Sequence, residues 1–246
     1  MRNLHKLYYK DYFSDVDFAD LKSDKSKKAV LEANQKLTDK ISAKDLVVPD
    51  LGTGLDSFQM EVLYPGLITG VGIQHEASIE GEFKLGLHLD YTTGLPIVYG
   101  STVKGVLRSY FEDCYMGPHN VDRLIDDIFG GNSYSDSKVS KSIYDRDIFY
   151  DAVVIEPAKD SKVLASDALA PHGVGKPGYP LIDPNPVTFV KVAAGVKLLF
   201  RFRLVDTKES NGKVMMSVAD KLQIFKTILA TYGIGAKTNV GYGQLK

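Results

Sequence analysis

The sequence predicts an α+β fold: a ferredoxin-like (RRM-like, split βαβ) antiparallel sheet with helices on one face, plus an N-terminal helical extension. Three observations lead there. Apolar residues alternate over 83–89 and 198–204, the period of a half-buried strand. They recur every three or four residues over 103–114 and 214–229, the period of an amphipathic helix. Strands and helices interleave, with too few helices for a doubly wound parallel sheet.

Residues 1–50 are lysine-rich and hold one helix, over about 26–43, in which Val30, Ala33, Leu37 and Ile41 share a face before Pro49. This is the expected extension, docked on a body or a partner; the domain proper is taken as 51–246. FQMEVLYPGLITGVGI opens the body as a strand broken at Pro65-Gly66. In the next strand Phe83, Leu85, Leu87 and Leu89 alternate with Lys84, Gly86 and His88. Val103, Val106, Leu107, Tyr110 and Cys114 then mark a helix, with Ser101 placed to cap it and Gly117-Pro118 ending it. Asp126 and Asp127 fall in a second helix as a solvated acidic face.

The segment 130–142, GGNSYSDSKVSKS, is expected to be a mobile loop. AVVIEP (152–157) is a short strand, and 171–186 is irregular backbone with five prolines and three glycines. VTFVKV and VKLLFRFRLV are strands. In the second, Leu198, Phe200, Phe202 and Leu204 share one face, and Lys197, Arg201 and Arg203 the other. Val214, Val218, Leu222, Phe225 and Leu229 form the last helix, and GYGQLK the last strand.

The formal net charge is −1, so any polyanion must be held by a local patch. Cys114 is the single cysteine, which excludes an internal disulfide and a multi-cysteine zinc site. The start, MRNLHKLYYKDYF, is too polar for a signal peptide, and no apolar run reaches the ~18 residues of a membrane span. A cytoplasmic protein without membrane contact is expected.

Two segments carry candidate chemistry. In GSTVKGVLRSYFED (100–113), Ser101 and Thr102 open the helix, where free N–H groups and the dipole favour an anion, and Lys104 and Arg108 lie one turn apart on one face. A bound phosphate and a merely capped helix with Arg108 paired to Glu112 both fit this pattern. GSTVKG does not satisfy the P-loop spacing. In GIGAKTNVGYG (233–243), the spacing of Gly233, Gly235, Gly241 and Gly243 fails the dinucleotide fingerprint. A structural turn remains open, as does an anion-binding loop using backbone amides with Lys237, Thr238 and Asn239. The five histidines (His5, His75, His88, His119, His172) show no metal-ligand spacing, so no metal, cofactor or catalytic set is expected. A metal-independent ribonuclease using His75 or His172 is the enzymatic alternative.

GLPIVYGSTVKGVLRSYF resembles the G-x-P-x-I-P-G-S-S-x-K-G-x-x-R segment of the RAMP superfamily of CRISPR proteins, and GIGAKTNVGYGQL resembles that superfamily's C-terminal glycine-rich loop. Tyr99 departs from the pattern by standing where proline is usual. The segments 58–96, DAVVIEP, LASDALAPH and NPVTF are similar to the sixth-subunit family of the type III-B (Cmr) RNA-guided effector complex. The resemblance implies a non-catalytic subunit that packs on other RAMP subunits and contacts guide RNA near its 3′ end. It also implies a glycine loop packed beside the motif helix. Together with the basic open sheet face of Lys197, Arg201 and Arg203, itself a platform suited to RNA, the RNA-binding set is then Ser101, Thr102, Lys104, Arg108, Lys197, Arg201, Arg203, Gly233, Gly235, Lys237, Asn239, Gly241, Tyr242 and Gly243, with 130–142 as a finger at the guide–target duplex. A structural cap without RNA contact is the third reading.

Overall fold

The computed structural model describes residues 2–70, 75, 77, 79–130, 146–169 and 187–246. Helix α1 (Leu4–Lys6) continues as a π-helical turn over Leu7–Asp11, and helix α2 (Asp24–Thr38) follows. Next come strands β1 (Asp56–Glu61), β2 (Lys84–Leu85), β3 (His88–Leu89) and β4 (Pro96–Val98). Helices α3 (Gly100–Ser109), α4 (Phe111–Cys114) and α5 (Val121–Phe129) lead to strands β5 (Ile148–Phe149), β6 (Ala152–Glu156) and β7 (Leu164–Leu169). Strands β8 (Val187–Val192) and β9 (Lys197–Arg203), the hairpin β10 (Thr207–Lys208) and β11 (Val214–Met216), and helix α6 (Val218–Tyr232) complete the order.

Alternation in β9 sets the architecture. Leu198, Phe200 and Phe202 are all buried on one face, each worth about 1.5–3 kcal/mol when fully removed from water. The phenyl ring of Phe202 lies 5.6 Å from Phe225 of α6 and 5.9 Å from Phe149, so the helices cover this side. The main sheet runs β1-β9-β6-β4-β3, with every neighbour antiparallel and β5 also paired to β9. The C-terminal residues extend it beyond β1: Glu61 and Lys246 exchange backbone hydrogen bonds of 2.8 and 3.0 Å, and Leu63 N–H donates to Gln244 O. A second sheet, β2-β8-β7, pairs β7 and β8 antiparallel and β2 and β8 parallel.

Several elements differ from the sequence reading. The single strand over 83–89 is divided at Gly86 into β2 and β3, which join different sheets. A Cβ on Gly86 would stand 2.9 Å from Val190 O, so the backbones meet too closely for a side chain. The first helix spans 24–38, because Ser23 caps it by accepting from Ser26 N–H; Ile41 is buried beyond its end. Tyr110, at φ −114°, breaks the motif helix into α3 and α4. The last helix starts at 218 behind a Ser217–Asp220 capping box, and 214–216 is a strand. LASDAL, read only as a resemblance, is β7. The predicted loop 130–142 and the proline-rich 171–186 lie outside the described residues but for Gly130.

The N-terminal residues dock on the body. Leu4, Tyr8, Tyr12, Val30, Leu37 and Ile41 join the same core cluster as β9 and α6. Polar bonds fix the register of this packing: Asn34 Nδ2 donates to Gly81 O at 2.8 Å, Phe83 N–H to Tyr12 Oη at 2.9 Å, and Ile41 N–H to Ser161 O at 2.7 Å.

Candidate nucleic-acid interface

The glycine loop begins where Gly233 ends α6, its N–H donating to Leu229 O. Ile234 N–H donates to Gly243 O at 2.9 Å, closing the loop's base. Ala236 N–H donates to Ile68 O at 2.7 Å and Gly243 N–H to Gly66 O at 2.8 Å, seating the loop on the segment after β1. These approaches explain the glycines. A Cβ would lie 2.2 Å from Ile68 O at Gly235 and 1.9 Å from Ile234 O at Gly243, and both have positive φ. Above this base, Thr238–Val240 form a 3-10 turn in which Val240 N–H donates to Lys237 O and Gly241 N–H to Thr238 O.

The amides of Gly233, Ile234, Ala236, Val240, Gly241 and Gly243 are therefore engaged inside the protein. The expected backbone-amide surface is thereby narrowed to the crown, where Lys237, Asn239 and Val240 are exposed.

Tyr242 points down. Its hydroxyl donates to Asp167 Oδ2 at 2.7 Å, Lys191 forms an ion pair with the same carboxylate, and Lys191 Nζ stands 5.3 Å over the Tyr242 ring. Burial, then the Asp167 carboxylate, pushes the Tyr242 hydroxyl up to about 12. Burial pulls Asp167 upward, but hydrogen bonds from Lys191, Tyr242 and the Ala168 N–H outweigh it and hold the carboxyl below its ordinary value. Asp167 and Lys191 escaped the sequence reading, since nothing in their spacing links them to residue 242.

Helix α3 starts at Gly100 with Tyr99 in the cap position, two residues before the expected cap, Ser101. Gly100 N–H donates to Asp151 Oδ1 at 2.7 Å, and Thr102 and Val103 N–H both donate to Tyr99 O. The Asp151 carboxylate thus takes the first N–H at the positive end of the helix. Gly100 meets β5 so closely that a Cβ would lie 2.2 Å from Phe149 O. Ser101 and Arg108 are exposed, whereas Thr102 and Lys104 are half-buried. Lys104 Nζ stands 6.0 Å over the Phe149 ring. Among the described residues, Lys104, Arg108 and Lys237 form no ion pair, and the Arg108–Glu112 pair does not occur.

The structure joins α3 to the glycine loop at both ends. Tyr110, after the last turn of α3, stacks on Tyr232 at 3.9 Å and 10°, immediately before Gly233. At the other end, Thr69 N–H donates to Gly86 O, His88 N–H donates to Thr69 Oγ1 at 2.9 Å, and the His88 ring packs 4.6 Å from Tyr99. The loop contacts Ile68 directly, so helix and loop are braced by one chain of contacts.

The basic strand face does not form as expected. Arg201 is buried: Nη1 donates to Pro49 O at 2.8 Å and Nη2 to Asp151 O at 3.2 Å. It lines a cavity of about 200 Å³ with Leu51, Ile97, Tyr150 and Val153. Residues before β1 have folded over this face. Lys197 pairs with Glu156 at 2.8 Å, and Arg203 is half-buried.

Of the two candidate catalytic histidines, the described one is His75. His75 is stacked 4.0 Å from Tyr8 and enclosed by Tyr12 and Phe13; its Nδ1 lies 3.7 Å from Glu82 Oε1. Burial holds its imidazole below the ordinary value. His172 lies outside the described residues. Among those described, no cluster of histidine, cysteine and carboxylate groups is arranged to hold a metal, and no helix is long and apolar enough to cross a membrane.

The model of the RAMP superfamily matches residues 59–246. A curated relative, the CRISPR system CMR subunit Cmr6 of Saccharolobus solfataricus, is 27% identical over 160 residues, covering 65% of this chain and 48% of that protein. The chain thus spans about half the length of that relative. In the cryo-EM structure of the type III-B Cmr-beta bound to cognate target RNA, one chain is 20% identical with a TM-score of 0.52, covering 78% of this chain and 57% of that one. The crystal structure of Cmr6 from Pyrococcus furiosus is 20% identical with a TM-score of 0.38, covering 78% and 98%.

Proposed function

This chain belongs to the RAMP superfamily, and from that premise we propose that it is a non-catalytic, RNA-binding subunit of a type III-B CRISPR (Cmr) effector complex, working in the cytoplasm. It contacts guide RNA near its 3′ end and packs on neighbouring RAMP subunits. Likeness to a Cmr6 protein supports the placement, as does the fold shared with a chain of a complex that holds target RNA. The sheet order C-terminal segment, β1, β9, β6, all antiparallel, supports the ferredoxin-like form of the fold.

One observation carries the RNA reading. Lys104, Arg108 and Lys237 stand on two mutually braced elements and have no carboxylate partner among the described residues. Unpaired cations on rigid backbone suit phosphates, with Ser101, Thr102 and Asn239 as neutral donors to phosphate or ribose. The glycines and Tyr242 act beneath them, by shaping and seating the loop. Sequence reading is left to base pairing by the guide, as in other RNA-guided systems.

The test is to purify the tagged chain from its native cells and identify what accompanies it. Guide RNA together with other RAMP subunits is the expected result; neither of the two would refute the assignment. Cleavage of repeat RNA in EDTA by the purified chain would refute the non-catalytic part.

A further inference from the structure

A second exposed element stands beside the crown of the glycine loop. The turn over residues 63–66 closes through Gly66 N–H on Leu63 O at 2.8 Å. It is held on both flanks, by Leu63 N–H donating to Gln244 O and Gly243 N–H donating to Gly66 O. Pro65 Cδ comes within 3.5 Å of where a Cβ on Gly241 would sit. The turn therefore seats Pro65 against the loop at Gly241, and carries Tyr64, the residue before it, on braced backbone.

Tyr64 is nevertheless 86% exposed, and its ring has no aromatic partner among the described residues. Other exposed aromatics differ: Tyr91 packs edge-on against His5, and Phe18 against Phe13. The surroundings of Tyr64 are also electrostatically specific. Lys237 has no ion-pair partner among the described residues, while Asp167, which accepts from Tyr242 of the same loop, is paired with Lys191. A flat, solvated ring on a turn that touches the loop bearing an unpaired cation offers the two chemistries of a single nucleic-acid strand, base face and phosphate.

We propose that Tyr64 is a stacking residue for an unpaired base of single-stranded RNA whose backbone is held by Lys237. This inference rests on the RNA-binding reading above and adds a preference to it. Base faces are accessible in a single strand and hidden in a duplex, so the Tyr64 contact discriminates between them whatever the sequence.

The test measures binding of the full chain to a labelled oligouridine, to its abasic counterpart and to an RNA duplex, by fluorescence anisotropy. Tyr64→Ala is expected to weaken oligouridine binding about tenfold, with duplex and abasic binding unchanged, and Tyr64→Phe to retain wild-type affinity. Wild-type protein that binds the abasic strand as tightly as oligouridine would overturn the inference without reliance on any variant. Unchanged oligouridine affinity in Tyr64→Ala, alongside a loss in Lys237→Ala, would overturn stacking and leave the RNA reading intact. Absence of all RNA binding by the wild type would remove both. Loss of co-purifying protein partners in Tyr64→Ala with RNA affinity unchanged would make the ring a subunit contact instead, and so overturn the proposal.

Discussion

Lys221 and Asp147 form an ion pair sealed from solvent, with Nζ 2.6 Å from Oδ2 and side chains 0% and 1% exposed. Lys221 Nζ also donates to Val205 O at 2.6 Å, and Val205 N–H donates to Asp147 Oδ1 at 2.9 Å. The pair ties α6 to the chain entering β5 and the chain leaving β9, the frame on which the glycine loop begins. Lys221→Met strands a buried carboxylate and should destabilise the fold by about 3–5 kcal/mol in urea unfolding. Lys221→Met with Asp147→Leu should recover most of that loss. A single variant as stable as the double would contradict this account of the pair.

The glycines of the loop separate from a glycine of α3. Gly235→Ala and Gly243→Ala force a Cβ to within 2.2 and 1.9 Å of backbone oxygens at positive φ, and each should cost roughly 2 kcal/mol or more. Gly105, exposed and inside α3, has nothing within 4 Å of an added Cβ. Gly105→Ala should therefore stabilise by about 0.5–1 kcal/mol. Thermal melts of the three variants check both signs.

Asp167 gives the loop's seat a pH dependence. Its folded pKa is depressed, so its contribution is present above the ordinary carboxylate value near ~3.9 and lost as pH falls through the lower folded value. The carboxylate is about one-third exposed, so a gap of only about 1 kcal/mol is expected between wild type and Asp167→Asn. That gap should be full at neutral pH and close in acid. A gap that widens on acidification would show the sign to be wrong.

Local signals carried much of this structure. The alternation of Leu198, Phe200 and Phe202 announces β9, and the heptad-like run from Val218 to Leu229 announces α6, because burial on one face acts at the chain's own period. What the sequence could not reveal depends on distant partners. Arg201 looks like a surface cation until Pro49, 152 residues away, supplies a carbonyl to bury it. Ser101 looks like a cap until Asp151 takes the Gly100 N–H. The glycine spacing was visible, but its cause, contact with Ile68 and Gly66, lies in a strand exit far upstream. Lys104, Arg108 and Lys237 were legible as candidates, whereas their freedom from carboxylates and the brace between their elements needed the fold.

The central claim is that these three cations hold RNA phosphates. Its most direct measurement is the salt dependence of RNA affinity for wild type and for Lys104→Ala/Arg108→Ala/Lys237→Ala. Affinity for single-stranded RNA should fall linearly with salt on logarithmic axes, and the triple variant should bind more weakly with a slope shallower by about 0.7 per lost phosphate contact. Equal affinity and equal slope in the two proteins, or a wild-type affinity indifferent to salt, would contradict the account.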